Sequence, residues 1–309
     1  MPEIIIQARE ASISTGLVVR RILPFRQRRM VGPFIFLDHA GPIEINPTTI
    51  SEMDVLPHPH IGLATVTYLL GGEVTHRDSL GVQQIIKPGE VNWMTAGSGI
   101  SHSERFEQQN SLAGKHLEML QSWVALPEEK EEITPEFENY KTEALPTHTD
   151  KGVWIRLIAG EAFGLKSKVK TYSPLFYLHV QLEKGAQIGI PDNYSERAIY
   201  VVNGSIQIGQ QIYQPGQMVV FSKVESPIIT THETATFMML GGEPLGHRYI
   251  YWNFVSSRKD RIEQAKADWE QGRIILPQLD NEEFVPLPQN LGNLAHKKED
   301  DNPEPGLLS

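Results

Sequence analysis

Two pairs of side chains in the first half of the chain have the residue types and spacing of a metal site. One residue separates His58 from His60, and one residue separates His102 from Glu104. In a β-strand, residues i and i+2 project from the same face, so each pair would lie roughly 6–7 Å apart on one surface. If the two strands are neighbours, three imidazoles and a carboxylate converge. This donor set suits a first-row divalent metal ion.

The same pairs also have a purely structural interpretation. Two histidines spaced this way are often surface or hydrogen-bonded residues, and the chain contains 11 histidines. The second pair, however, directly follows a Gly-rich turn, Ala96-Gly97-Ser98-Gly99. We therefore predict a metal site formed by His58, His60, His102 and Glu104. On an octahedral ion these four ligands leave two positions for dioxygen, water or a chelating substrate.

Three other histidines need a role to be assigned. His76 lies in a predicted hairpin, where it could face the pocket, contact a ligand from behind or lie at the surface, and we favour the last two. Asp78 is expected to serve the turn that follows. His179 and His232 have no close partner in the second half of the sequence and are predicted to be structural.

Most of the chain is typical of short strands separated by Gly, Pro, Asn and Asp turns, a pattern that predicts an all-β sandwich or barrel. One helix is predicted over residues 257–272, with Ser257 as its cap and Gly272 as its stop. The predicted strands include Ala64–Leu70, Gln83–Ile86, Val91–Met94, Trp154–Ile158, Ala198–Val202, Met218–Phe221 and Phe237–Leu240.

A weak internal repeat indicates that one β-barrel unit occurs twice. Tyr68-Leu-Leu-Gly-Gly resembles Tyr200-Val-Val-Asn-Gly, and each is followed by a Pro-Gly turn, at Pro88 and at Pro215. At the positions that correspond to the four proposed ligands, the second copy has Ile190, Asp192, Ile229 and Thr231. The second barrel is therefore predicted to lack a metal site.

Bulk composition limits the other function classes. The net charge of −10 and the absence of a long Lys/Arg run argue against direct binding of nucleic acid. Because the chain has no cysteine, disulfides, iron–sulfur clusters and thiol nucleophiles are excluded. We find no signal peptide and no membrane-spanning run, and expect a cytoplasmic monomer that makes no contact with a membrane.

These motifs resemble the pirin family within the cupin superfamily. The resemblance covers most of the chain and is most specific in the first half. One departure is Ile61-Gly62-Leu63, where many pirins have Arg-Gly-Phe after the second histidine. The matching segments are Gly32–His39, Pro57–Gly62, Thr65–Leu70, His76–Gly81, Pro88-Gly89 and Trp93–Glu104, with Ile158–Glu161 and Tyr200–Phe221 in the second half.

The resemblance implies an all-β fold of two cupin (double-stranded β-helix, jelly-roll) barrels with a short C-terminal helix. It implies a metal-binding N-terminal cupin over residues 1–133 and a degenerate C-terminal cupin without metal over 151–290. Composition predicts the rest: a linker rich in Glu, Pro, Thr and Lys over 134–150, and a polar, disordered tail over 291–309. One divalent metal per chain is expected, with Fe(II) preferred and Mn, Co, Ni, Cu or Zn as alternatives.

Family members resemble quercetin 2,3-dioxygenases, so one hypothesis is oxygen-dependent cleavage of a small aromatic, flavonol-like substrate. In that hypothesis Glu104 is a ligand and could also be the base that accepts the substrate proton. The alternative is a metal-dependent regulatory pirin that binds a protein partner, such as a transcription factor or a metabolic enzyme, without turnover. A third, less favoured hypothesis is a storage-like or sugar-binding cupin without redox chemistry.

Overall fold

The computed structural model describes residues 2–107, 116–222 and 226–289. Within these ranges the chain is built mainly from β-strands, with one α-helix, and it divides into two compact units. None of the helical segments in this part of the chain is long and apolar enough to cross a membrane. The tail predicted to be disordered, residues 291–309, lies outside the described residues.

Short strands follow one another along the chain, as the frequent turn residues predict. In chain order they are β1 (Ile4–Gln7), β2 (Arg9–Ser14), β3 (Leu17–Leu23), β4 (Phe34–Glu44), β5 (Val55–His60), β6 (Leu63–Gly71), β7 (Val74–Asp78), β8 (Gln83–Ile86), β9 (Val91–Thr95), β10 (Ile100–Arg105), β11 (His116–Ala125), β12 (Glu136–Tyr140), β13 (Thr147–Asp150), β14 (Val153–Ala162), β15 (Leu165–Lys166), β16 (Leu175–Leu182), β17 (Gln187–Gly189), β18 (Glu196–Asn203), β19 (Ile206–Ile208), β20 (Gln211–Tyr213), β21 (Gln217–Ser222), β22 (Ile228–Thr230), β23 (Ala235–Gly242), β24 (Tyr249–Tyr251) and β25 (Phe254–Ser256). Three short 3-10 helices cover Ile50–Met53, Glu128–Lys130 and Thr142–Ala144.

Unit 1 holds the second cupin barrel. Its larger sheet has the order β1-β21-β18-β23-β16-β14-β13, with β15 added to β14, and its smaller sheet has the order β17-β22-β19-β20. Apolar side chains at alternate positions of these strands, such as Phe176, Leu178 and Val180 in β16, form one core cluster. Their burial from water supplies the main driving force for this barrel.

Unit 2 holds the first barrel. Its smaller sheet has the order β5-β10-β7-β8, and its larger sheet includes the consecutive strands β12, β9, β6 and β11. Leu69, Val74, Ile86 and Met119 belong to the apolar cluster of this barrel. The all-β fold with two cupin barrels is therefore confirmed.

The α-helix of the described residues, α1 (Lys259–Glu270), lies within the predicted range and confirms the C-terminal helix. Ile262, Ala265 and Trp269 lie on its buried face and pack in one cluster with Ile61. The predicted cap is wrong, because the residue at the cap position is Arg258 and no side chain bonds there. The hydroxyl of Ser257 donates instead to Glu131, at 3.1 Å.

The internal repeat is visible in the hydrogen bonds of the two Pro-Gly turns. The amide of Gly89 donates to the carbonyl of Leu69 at 2.8 Å, and the amide of Gly216 donates to the carbonyl of Val201 at 2.9 Å. Each acceptor directly follows the repeated tyrosine. The two glycines have φ values of +81° and +85°, which side chains with a Cβ rarely adopt.

The compact units differ from the continuous domains predicted from the sequence. Unit 1 takes the described residues of Met1–Arg9, Arg20–Leu37 and Tyr140–Leu245, and unit 2 takes those of Glu10–Val19, Asp38–Asn139 and Gly246–Ser309. The pairing of β1 with β21 accounts for the first strand in unit 1, and the packing of α1 against Ile61 accounts for the helix in unit 2. The segment predicted as a linker, residues 134–150, contains β12 and β13.

Candidate metal centre

An inner strand of the small sheet in unit 2, β10, brings the predicted ligands together. It pairs with β5 on one side and with β7 on the other, both antiparallel. His102 lies directly opposite His58 on β5 and opposite Asp78 on β7. Because directly paired residues project from the same face of a sheet, the i, i+2 pairs of all three strands line a common surface.

The imidazoles of His58, His60 and His102 converge on this surface. Their ring centroids are 4.4 Å apart for His58 and His102, and 5.1 Å for the other two pairs. One nitrogen from each ring lies within 4.8 Å of the corresponding nitrogens of the other two. All three side chains are buried, so the rings face one another with little exposure to water.

The hydrogen bonds of these rings leave their Nε2 atoms available. His58 Nδ1 lies 2.8 Å from the carbonyl oxygen of Leu56, a geometry in which the ring donates and keeps a lone pair on Nε2. Among the described residues, the Nε2 atom of His102 and both ring nitrogens of His60 are buried without a hydrogen-bond partner. Buried polar atoms without a partner are uncommon in folded proteins and call for an explanation. A divalent metal ion supplies one, and the three histidines fit it.

Burial also sets the charge state of the three histidines. It lowers the pKa of His58 to about 4, with the Leu56 carbonyl opposing the shift and the charge of His76 adding to it. The pKa values of His60 and His102 are lowered well below the usual range, first by burial and then by the neighbouring imidazoles. The neutral imidazoles that result near pH 7 are the form that binds metal.

Glu104 lies on the same strand as His102, but its carboxylate is not part of the three-histidine group. A register shift between His102 and Glu104 in the pairing with β5 brings Glu104 opposite Val55. The side chain is buried, which raises its pKa to about 7, and a hydrogen bond with Thr67 opposes that shift. Its role as fourth ligand stays a prediction.

His76 is buried rather than at the surface, so that alternative is wrong. Its Nδ1 lies 3.3 Å from Nδ1 of His102, and its Nε2 lies 3.0 Å from Oδ2 of Asp78. Asp78 also serves the turn as predicted, because its Oδ1 accepts the amides of Leu80 and Val82. His76 therefore contacts a candidate ligand from behind, which was the other favoured alternative.

The two histidines predicted to be structural lie in unit 1. His179 is buried on β16 with its ring against Trp154, and burial lowers its pKa to about 3, with the charge of Arg156 adding to the shift. The Nε2 atom of His232 lies 2.7 Å from Oε1 of Gln207, and the residue is exposed.

The opposite face of β10 is fixed by a segment that follows α1. Ser101 donates its hydroxyl hydrogen to the carbonyl of Ile275, and Ser103 donates to Asp280, both at 2.6 Å. Arg105 holds the same Asp280 carboxylate through two nitrogens, at 2.6 and 2.7 Å. Alternation therefore divides β10 into a ligand face and an anchoring face.

Two aromatic neighbours of the site were not found from the sequence. The ring of Trp123 lies edge-on to His60 at 5.2 Å, and Phe137 stacks on His76 at 4.4 Å. Trp123 lies in a run of consecutive buried residues at the end of β11, which carries no alternation that would assign it to the site. Phe137 lies in the segment predicted to be a linker, where no periodic pattern pointed to the site.

A pair of cupin barrels, one of which gathers three buried histidines, defines a bicupin with a candidate metal centre. Sequence models of two pirin domains match this chain: Pirin over residues 16–124, and the Pirin C-terminal cupin domain over residues 177–275. A pirin-like protein from Caulobacter vibrioides is 52% identical over 94% of this chain and 100% of its own length. The chain therefore belongs to the pirin family, and the resemblance seen in its motifs is confirmed.

Two further relatives carry the name of an enzyme. A Pseudomonas aeruginosa protein described as a candidate quercetin 2,3-dioxygenase is 36% identical over 89% of this chain and 86% of its own. The crystal structure of a quercetin 2,3-dioxygenase from Acinetobacter baumannii is similar to this one with a TM-score of 0.80 and 33% identity. The likeness covers 87% of this chain and 88% of that chain.

Proposed function

We propose that this pirin binds one divalent metal, Fe(II), through His58, His60, His102 and Glu104, and cleaves flavonols with dioxygen. The observation that carries the proposal is the buried group of three imidazoles, two of which have an Nε2 atom without a hydrogen-bond partner in the described part of the chain. The names of the relatives from Pseudomonas aeruginosa and Acinetobacter baumannii support the reaction class.

The proposed reaction opens the oxygen-containing ring of a flavonol such as quercetin. The two carbon–carbon bonds to the ring carbon that bears the hydroxyl break, and that carbon leaves as carbon monoxide. The flanking carbons each gain one atom of the dioxygen molecule and become the ester and carboxylate of the product. Dioxygen is the only oxidant, so no separate reductant is needed. A bound divalent metal supplies Lewis-acid activation of the hydroxyl and adjacent carbonyl and brings dioxygen close to the ring.

The chain's own residues would orient the substrate and move one proton. Glu104 would accept the proton of the flavonol hydroxyl as the substrate binds, since a carboxylate near the donor atom is a suitable general base. Thr67, which hydrogen-bonds with Glu104, would hold the carboxylate in place. The ring of Trp123 packs against His60 and would limit access of water on that side.

The test is oxygen uptake by Fe(II)-loaded protein on addition of quercetin, with carbon monoxide measured in parallel. The proposal predicts equal amounts of oxygen consumed and carbon monoxide released. Glu104→Gln is expected to keep the metal through three histidines but to lose most turnover, while His60→Ala should lose both metal and turnover. Metal-loaded protein that consumes no oxygen with quercetin would refute the enzyme proposal and favour the regulatory alternative, in which the bound metal alters a surface seen by a protein partner.

A further inference from the structure

Behind the candidate metal centre, a row of three side chains runs from His102 into the interior of the small sheet. Asp78 and His76 are neighbours on one face of β7, and His102 lies directly opposite Asp78 on β10. The contacts in the row are 3.3 Å between the Nδ1 atoms of His102 and His76, and 3.0 Å from His76 Nε2 to Asp78 Oδ2. All three side chains are buried.

We propose that Asp78 and His76 are positioning residues that fix the tautomer and orientation of His102 for metal binding. The inference rests on the proposed metal site, because it concerns how that site is held. Neither residue touches the ion in this proposal; each acts through the next member of the row.

The proton positions in the row follow from its far end. A carboxylate only accepts hydrogen bonds, so His76 must carry its hydrogen on Nε2 in order to bond to Asp78. In a neutral His76 ring, Nδ1 is then the acceptor, and the facing Nδ1 of His102 is the donor. With its hydrogen on Nδ1, His102 presents the lone pair of Nε2 to the other two histidines. The carboxylate at the far end therefore selects the ligand atom at the near end.

Two further contacts keep the row rigid. The other carboxylate oxygen of Asp78 accepts the amides of Leu80 and Val82, at 2.9 and 3.1 Å, which fixes which oxygen faces His76. The ring of Phe137 stacks on His76 with ring planes 18° apart, which restricts rotation of the imidazole. A ligand held by such an outer layer is pre-oriented before the metal arrives.

Asp78→Asn tests the row with almost no change of shape. The amide oxygen can keep both backbone hydrogen bonds, so the amide nitrogen faces His76 and donates to its Nε2. His76 would then carry its hydrogen on Nδ1, where it meets the hydrogen on Nδ1 of His102. Relief requires His102 to turn or to move its hydrogen to Nε2, and either change removes the ligand atom.

The matched control is Glu107→Gln. This carboxylate accepts from Thr75 at 2.8 Å and pairs with Arg77, so the substitution removes one negative charge that contacts the opposite face of β7. It has no contact with the row of three residues among the interactions of the described part of the chain. The two variants therefore separate a change in the row from a general change in β7.

The experiment measures Co(II) affinity by calorimetry, together with the visible absorption spectrum of the bound ion. We expect Asp78→Asn to bind Co(II) ~10–100-fold more weakly than the wild type, with an altered spectrum, since this is the usual effect of losing an outer-layer partner. Glu107→Gln should match the wild type in both. Equal affinity and spectrum in Asp78→Asn would overturn the proposal.

A second measurement decides the matter if Asp78→Asn does not fold. Nitrogen NMR of histidine side chains in Zn(II)-loaded wild-type protein distinguishes the two ring tautomers. The proposal predicts hydrogen on Nε2 of His76 and on Nδ1 of His102, and the opposite tautomer of His76 would refute it. Wild-type protein that binds neither Co(II) nor Zn(II) would refute the proposed metal site itself, a result distinct from failure of the row alone.

Discussion

Glu131 is buried in unit 2 and holds the segment that follows β11 against the segment that precedes α1. Its carboxylate pairs with Nε of Arg248 at 2.9 Å and accepts the hydroxyl of Ser256 at 2.8 Å. The amide of Ser257 donates to both carboxylate oxygens, at 2.8 and 3.0 Å. Only 4% of the Glu131 side chain and 3% of the Arg248 side chain are exposed, so water screens this ion pair very little.

Glu131→Gln removes the charge while it keeps the size of the side chain. The guanidinium of Arg248 would then lose the carboxylate beside it, although it keeps its bond to the carbonyl of Leu126 at 2.9 Å. Removing one partner of a buried ion pair typically costs about 3–5 kcal/mol. We expect a loss of that size in the free energy of unfolding of unit 2.

The assay is urea unfolding of metal-free protein followed by tryptophan fluorescence. Four of the five tryptophans lie in unit 2, so the signal reports mainly on this unit. Glu132→Gln is the matched control, because its side chain is 50% exposed and it pairs with Arg261 at 2.8 Å. Because Glu132 is half exposed and the buried Arg261 keeps Asp268 at 3.6 Å, loss of this pair should cost at most about 1 kcal/mol.

The double variant Glu131→Gln/Arg248→Met adds a check on the reasoning. The double variant removes both charges of the buried pair. Its loss of unfolding free energy should therefore be smaller than the sum of the two single losses. If Glu131→Gln costs no more than Glu132→Gln, or if the two losses simply add, the ion pair does not hold this region as argued.

Two further predictions concern the turn beside the ligands and the second barrel. Gly62 has a φ of +69°, and a Cβ there would lie 2.0 Å from the carbonyl oxygen of Val255, so Gly62→Ala should cost about 3 kcal/mol or more of unfolding free energy. In the control, Gly81 has a φ of +85° and open space around it, so Gly81→Ala should cost about 1–2 kcal/mol of unfolding free energy. Equal losses for the two variants in urea unfolding would contradict the steric argument. His179 in the unfolded chain takes up a proton near pH 6.5 but in the folded protein only near its pKa of about 3, so it reduces stability as the pH falls through this window. In His179→Asn, the fall in unfolding free energy with decreasing pH should be shallower than in the wild type, by up to about 1.4 kcal/mol per pH unit. Identical plots of unfolding free energy against pH for variant and wild type would refute the assignment.

Much of the fold could be predicted because its signals are local. Each strand predicted from β-branched and aromatic residues overlaps an observed strand, and the repeated Pro-Gly turns recur with matching hydrogen bonds. The helix was also predictable, since its apolar positions repeat at helical spacing. Its cap was not, because Ser257 bonds to Glu131, which lies far away in the sequence.

The candidate site shows the same division between local and long-range information. The i, i+2 spacing placed His58, His60 and His102 on common strand faces, and the structure brings their rings together. The orientation of Glu104 depends on a register shift between neighbouring strands, which no short motif encodes. The burial of His76 depends likewise on packing against Phe137, a residue about sixty positions away in the sequence that no local pattern connects to it.

Division of the chain into units also depends on long-range pairing. The first strand, β1, pairs with β21, and the helix packs in one cluster with Ile61. Composition and periodicity do not indicate which residues β1 and the helix contact. Continuous boundaries drawn from the sequence therefore differ from the compact units.

The most direct test of the metal centre is the metal-to-protein ratio, measured by mass spectrometry on untagged wild-type protein and on two histidine variants. We predict one divalent ion per wild-type chain, almost none in His102→Ala, and an unchanged ratio in His232→Ala, which removes an exposed histidine outside the group. A metal-free wild type, or equal metal in His102→Ala and the wild type, would contradict the account.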